Sequence, residues 1–258
     1  MKPRNLETVL EVKHFTEDLF WFKTTRNGEW KKNFRPGEFN MIGMPGGESP
    51  LRAYSICSLP EDNFLEFLSI KVPDGPLTSK LQHIKVGDEL EVTTRAVGTL
   101  VLPNLDVYEL KHPKPRLWCI STGTGLAPFL SIARHEEAYK YYDQVIVTHT
   151  CRRNDELVFR PELESNKAVV WQSVTREEPR EGVSTGRVTD KIRSGELFSE
   201  LHYEGELDFN IERDRIMICG GPSFNIEIRD MLEAKGWMHG TNRAPGHYCQ
   251  ERAFVESL

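Results

Sequence analysis

Arg116-Leu117-Trp118-Cys119-Ile120-Ser121-Thr122-Gly123-Thr124-Gly125-Leu126-Ala127-Pro128 runs from an apolar segment through two spaced glycines into a proline. Arg116 to Ile120 reads as a buried strand. Ser121 to Pro128 joins it directly to a helix, with Pro128 in the first turn, where its missing N–H costs little. Phe129, Ile132 and Ala133 then share one helical face. Glycines let a ligand approach the backbone closely, and the unpaired N–H groups at a helix start point toward any anion there. A pyrophosphate fits this turn. A plain tight strand–helix turn fits the same residues equally well, because the full G-x-G-x-x-G pattern is absent.

The alternation continues toward the C-terminus. Val145-Ile146-Val147-Thr148, Ala168-Val169-Val170-Trp171 and Arg215-Ile216-Met217-Ile218-Cys219 read as further strands. The last leads into a helix on which Phe224, Ile228, Met231 and Leu232 form one stripe, ended by Gly236. Strands alternating with helices predict a parallel α/β sheet, Rossmann-like, that binds ligands at the carboxyl ends of its strands. Basic residues follow those ends: Arg152 and Arg153, Thr175-Arg176, and Arg187. A site for NAD typically carries an acidic group for the ribose 2′-hydroxyl, whereas arginines accommodate a 2′-phosphate, so this distribution points to NADP. Any one of these arginines taken alone describes a solvated loop. Two together, at roughly 1.5–3 kcal/mol per charge-assisted hydrogen bond, supply a preference of about a hundredfold or more.

Upstream, the character changes at Lys111-His112-Pro113-Lys114-Pro115, which sets a domain boundary between residues 1–110 and 111–258. The first part is punctuated by Asn27-Gly28, Pro36-Gly37, Pro45-Gly46-Gly47, Pro73-Asp74-Gly75-Pro76 and Gly87-Asp88. Between these turns lie short β-favouring runs such as Leu19 to Thr24, and Leu68, Ile70 and Val72 alternate with Ser69 and Lys71. Many short strands imply a small antiparallel β-barrel or sandwich, interrupted by one helix in Leu77 to Ile84. Within it, Arg52-Ala53-Tyr54-Ser55 puts Arg52 and Tyr54 on one face of a strand, a guanidinium suited to phosphate beside a ring suited to stacking on a flat heterocycle. An ordinary half-buried strand would look the same. Gly75-Pro76-Leu77-Thr78-Ser79 opens the short helix as a second anion site or as a plain cap.

The chain as a whole has 258 residues, which favours two domains over one. With 33 Lys+Arg against 39 Asp+Glu, its net charge of −6 disfavours nonspecific attraction to nucleic acid. No apolar run approaches a membrane span, and the start lacks the apolar stretch of a signal peptide, so the expected compartment is the cytoplasm. The 5 cysteines, Cys57, Cys119, Cys151, Cys219 and Cys249, are scattered without C-x-x-C spacing, which argues for free thiols and against a bound metal or an iron–sulfur cluster.

Taken in order, these motifs resemble the ferredoxin/flavodoxin–NADP⁺ reductases, particularly their short bacterial branch. The resemblance spans essentially the whole chain. It runs through Arg52 to Ser55, Ser69 to Val72, Gly75 to Ser79, Gly98-Thr99-Leu100, Ser121 to Pro128, Val174 to Glu177, Gly186 to Asp190, Cys219 to Ser223 and Glu251 to Glu256. No single motif is decisive; the joint order and spacing are specific.

The resemblance implies a barrel that holds FAD and an α/β domain that holds NADP(H). Hydride would pass between NADP(H) and FAD, and single electrons between FAD and ferredoxin or flavodoxin, with the protein a monomer. Tyr54 would stack on the flavin, Arg52, Thr78 and Ser79 would surround the pyrophosphate, and Ser55 would sit near flavin N5. Ala53, Ile70, Lys71, Val72, Gly75, Leu77, Thr99, Thr124, Ala253 and Phe254 complete the implied FAD and nicotinamide surroundings. Arg152, Thr175, Arg176, Arg187 and Asp190 would serve NADP. Ser55, Cys219, Glu251 and Ala253 are the implied catalytic group. The tail departs from the plastid-type pattern, which ends in a tyrosine over the flavin: Ala253 falls there, the chain continues from Phe254 to Leu258, and Phe254 would pack on the FAD adenine. A free-flavin reductase and a non-enzymatic flavin or nucleotide sensor are the competing readings.

Overall fold

A computed structural model describes residues 3–28, 33–72 and 74–253. The first half builds six strands, β1 (Arg4–His14), β2 (Leu19–Thr25), β3 (Phe39–Gly43), β4 (Arg52–Ser55), β5 (Phe64–Ile70) and β6 (Glu89–Thr93), with helix α1 (Thr78–Leu81) before the last. They form one antiparallel sheet in the order β4-β3-β6-β1-β2-β5. The two edges meet through a bridge between Ile56 and Phe67, so the sheet nearly closes into a barrel.

Strand β2 shows why this barrel can carry a partner. Leu19, Phe20, Trp21 and Phe22 are all buried, and their alternation divides them between two cores. Phe20 and Phe22 point inward with Ile42, Tyr54, Ile56 and Phe67. Leu19 and Trp21 point outward and join a core shared with the second half of the chain, as does Leu68 of β5 beside the inward Phe67. A wall buried on both faces reads in sequence as an unbroken apolar run.

The segment from Leu77 to Ile84 contains only the four residues of α1, then tightens into three-residue turns from His83 to Lys80 and from Ile84 to Leu81. Its apolar spacing needs no more, since Leu77, Leu81 and Ile84 already plug one end of the barrel. Val72 lies past the end of β5. The chain turns there, with the Gly75 N–H donating to the Val72 carbonyl at 3.1 Å.

The second half contributes β7 (Arg116–Thr122), α2 (Ala127–Arg134), α3 (Glu136–Tyr141), β8 (Gln144–Cys151), α4 (Arg160–Ser165), β9 (Val169–Val174), β10 (Ser184–Thr185), α5 (Val188–Ser194), α6 (Glu196–Glu200), β11 (Asp214–Gly220), α7 (Pro222–Glu233) and β12 (Tyr248–Arg252). The strands run parallel in the order β10-β9-β8-β7-β11-β12. Leu117 and Cys119 of β7 face α2, α3, α4 and the barrel, while Trp118 and Ile120 face α5, α6 and α7. The edge strands β10 and β12 are the two that the apolar pattern did not reveal: one has two residues, and the other, Tyr-Cys-Gln-Glu-Arg, is mostly polar.

Helix α2 binds the two halves together. Ser131 Oγ donates to the Ser58 carbonyl at 2.7 Å, and Arg134 reaches both the Cys57 carbonyl at 3.1 Å and the Glu66 carboxylate at 2.8 Å. These bonds tie the helix that follows the glycine-rich turn to the barrel wall.

Candidate functional site

In an open parallel sheet, ligands bind beyond the carboxyl ends of the strands where chain order reverses. Here that point lies between β7 and β11, since the chain leaves β7 toward β8 on one side and returns to β11 on the other. The turn Gly123–Leu126 follows β7, and Gly125 packs so closely on the end of β11 that a Cβ there would collide with the Cys219 carbonyl. Only glycine permits that approach.

A cleft of about 660 Å³ opens above this junction. Its floor is the end of β7 at Thr122, the turn through Gly123 and Thr124, and the end of β8 through His149, Thr150 and Cys151. Arg152, Thr175, Arg176 and Arg187 line its far side. Among the described residues none of these three arginines makes an ion pair with a carboxylate, whereas Arg153, next to Arg152 in sequence, lies near Asp155 at 3.6 Å and Glu177 at 3.8 Å. The fold therefore separates a spent cation from its available neighbour. Three unpaired guanidiniums facing one cleft suit a phosphorylated, acidic ligand.

A narrower groove adjoins the cleft on the barrel side. Arg52, Ala53, Tyr54 and Ser55 of β4 form one wall and Gly75, Leu77 and Thr78 another. Tyr54 is nearly buried, edge-on to Phe22 and Phe67 with ring centroids 6.4 Å away in each case, and its hydroxyl accepts from Ser69 Oγ at 3.4 Å. Burial pushes its phenol up to about 12, so it stays neutral. The Arg52 guanidinium bonds only the neighbouring Leu51 carbonyl, at 3.2 Å, and has no carboxylate partner among the described residues. A rigid aromatic beside a guanidinium without a carboxylate partner fits a flat ring with a phosphate tail.

Leu68, Ile70, Thr124 and Ala253 line both the cleft and the groove. The two spaces thus share a wall where the halves of the molecule meet. Ala253 is held there by its N–H, which donates to the Gly220 carbonyl at 3.1 Å. Lys71 faces the cleft.

Six expected site residues stand outside both spaces. Val72 and Ser79 serve the turn and α1, with the Val72 carbonyl accepting from Thr78 Oγ1 at 3.2 Å and the Ser79 N–H donating to Gly75. Asp190, exposed on α5, pairs with Arg193 at 3.3 Å. Cys219 is buried under the turn, and desolvation pushes its thiol well up. Thr99 and Glu251 hold each other: the Thr99 N–H donates to Glu251 Oε2 at 3.2 Å, and Thr99 Oγ1 donates to the Gln250 carbonyl at 3.3 Å. Burial raises the Glu251 carboxyl to about 7. Phe254 lies outside the described residues.

The cleft is also lined by residues that were not among the expected ones, Phe224 and His149 among them. Phe224 packs against the core on the α7 stripe with Ile228 and Leu232, as expected, and being half-buried it also borders the cleft. His149 continues the apolar face of β8 after Val145 and Val147, a position at which a histidine is usually packing.

A family model for the oxidoreductase NAD-binding domain matches residues 119–230. The chain is 44% identical over 97% of its length to the ferredoxin–NADP reductase of Pseudomonas aeruginosa, of which it covers 97%. To the flavodoxin/ferredoxin–NADP reductase of Rhodobacter capsulatus it is 42% identical, over 96% of this chain and 93% of that one. The chain belongs to the ferredoxin/flavodoxin–NADP reductase family. A crystal structure of a ferredoxin–NADP⁺ reductase from Neisseria gonorrhoeae, with bound FAD and NADP, superposes with a TM-score of 0.85 at 27% identity, covering 97% of this chain and 99% of that one. The pairing of barrel and parallel sheet is therefore that of a reductase fold, and the protein is an oxidoreductase. No helix among the described residues is long and apolar enough to cross a membrane.

Proposed function

We propose that this reductase holds FAD in the groove and takes NADP(H) in the cleft, exchanging hydride between them and single electrons with ferredoxin or flavodoxin, as a monomer in the cytoplasm. The observation that carries this reading is the shared wall of Leu68, Ile70, Thr124 and Ala253, which brings the two spaces face to face. When bound, FAD would supply the chemistry no side chain has, accepting two electrons together and releasing them singly. Residues 1–110 form the flavin-holding unit on this reading and 111–258 the nucleotide-holding one.

The chain's own residues orient and exclude. Tyr54 offers a rigid face to the ring, Arg52 and the 75–79 segment receive the FAD diphosphate, and the Thr124 turn receives the dinucleotide. Arg152, Arg176 and Arg187 select the 2′-phosphate over a bare ribose. Ser55 borders the point at which hydride arrives. Ala253, a small residue at the junction, leaves room for the nicotinamide to come within roughly 3–3.5 Å of its acceptor. Cys219 and Glu251 act behind the surface as positioning residues, one under the turn and one bracing the terminal strand against Thr99.

Purified protein should show the visible spectrum of an oxidised flavin. NADPH should bleach it at far lower concentration than NADH, and cytochrome c reduction should depend on added ferredoxin or flavodoxin. Colourless protein that does not take up FAD would refute the proposal. Rapid reduction of free flavin with no effect of either carrier would favour a free-flavin reductase.

A further inference from the structure

His149 is 1% exposed yet borders the cleft. Its Nε2 lies 3.0 Å from the carbonyl oxygen of Gly123 and 3.1 Å from Cys151 Sγ. Among the described residues its Nδ1 has no partner. The carbonyl can only accept, so the ring proton sits on Nε2 and the imidazole donates. Burial lowers its pKa to about 4, which keeps the ring neutral at physiological pH. Cys151 turns its own weak donor elsewhere, toward the Glu156 carbonyl at 3.6 Å.

The residue it holds is unusual. Gly123 opens the turn with φ +53°, in the left-handed region, and its carbonyl points back toward β8. The peptide group is rigid, so anchoring that carbonyl also sets the direction of the Thr124 N–H that follows. The first N–H groups of such a turn have no partner within it and are what an anion meets. Among the described residues no side chain other than this imidazole bonds the Gly123 carbonyl.

We propose that His149 is a positioning residue, whose imidazole holds the Gly123 carbonyl, and through it the glycine-rich turn, in the orientation that receives the central diphosphate of the dinucleotide. This rests on the reading of the cleft as the NADP(H) site. It assigns His149 to the diphosphate half of the ligand and not to the adenosine 2′-phosphate, which falls to the arginines across the cleft.

The two halves can be tested separately by calorimetry on the FAD-loaded protein, with NADP⁺ as the whole ligand and adenosine 2′-monophosphate as the arginine-side fragment. His149→Leu should weaken NADP⁺ at least tenfold while leaving the fragment within about twofold, and should raise the KM for NADPH more than it lowers kcat. His149→Gln, which restores an N–H donor near Nε2, should recover most of the loss. Gly123→Ala has open space for its Cβ but a strained φ, so it should reproduce the pattern if His149→Leu does not fold. Unchanged NADP⁺ affinity in His149→Leu or Gly123→Ala, no recovery in His149→Gln, or a parallel loss of both ligands overturns the assignment. If the unaltered protein binds neither ligand, the reading of the cleft falls with it.

Discussion

The cleft and the groove share a wall but are built on opposite principles. The cleft is lined by loops that follow parallel strands, and it presents cations without partners. The groove is lined by a strand and by the start of a short helix, and its key ring is wedged between Phe22 and Phe67 in the barrel core. Recognition in the first is a matter of charge on replaceable side chains. In the second it is inseparable from folding, because the residues that shape the groove also close the barrel.

That contrast fails if groove-side substitutions spare stability or cleft-side ones do not. Phe22→Ala removes a fully buried ring touching Tyr54 and should cost about 3–5 kcal/mol, seen as a large fall in melting temperature together with loss of flavin on gel filtration. Arg187→Ala should cost about 1.5–3 kcal/mol of NADPH binding, a ten- to hundredfold rise in KM, with little change in NADH kinetics or melting temperature. A similar loss for both cofactors would mean that the arginine does not read the 2′-phosphate. Ser55→Val should retain FAD and slow flavin reduction by NADPH about tenfold in single-turnover absorbance traces, roughly 1.4 kcal/mol of barrier. An unaltered rate removes Ser55 from the reaction.

The smallest effect concerns the brace between the halves. Glu251 has a carboxyl raised from its usual value to about 7, so the folded protein holds a proton that the unfolded chain releases near pH 4.5. Stability therefore falls as pH rises across that window and levels off above pH 7. Glu251→Gln keeps an acceptor for the Thr99 N–H without the charge, and should abolish that slope. Its advantage over the unaltered protein should be on the order of 1 kcal/mol, allowing for partial exposure, and about 2–4 °C at pH 8, shrinking toward pH 5 in thermal melts. A constant difference between pH 5 and pH 8 would show that the raised carboxyl is not coupled to folding.

Much of this molecule was legible from local pattern. The Arg116–Pro128 stretch announced a strand, a glycine turn and a helix, and the structure has β7, the turn Gly123–Leu126 and α2 in that order. Turn punctuation announced a small antiparallel barrel or sandwich, and the ordered motifs announced the reductase family and with it the barrel. Periodicity and turn chemistry involve neighbours in sequence, so they can be read without knowing the fold.

Pairing cannot be read that way, because partners far apart in sequence meet only after folding. Arg152 and Arg153 are adjacent and chemically equal; Asp155 and Glu177 occupy one and leave the other to the cleft. Glu251 and Thr99, separated by most of the second half, turn out to hold each other away from both cavities. His149 follows two core valines on a strand, and only the return of the chain over β7 puts the Gly123 carbonyl within its reach. Residue type and order carry the kind of chemistry available, while long-range contact selects which members of each type remain free to perform it.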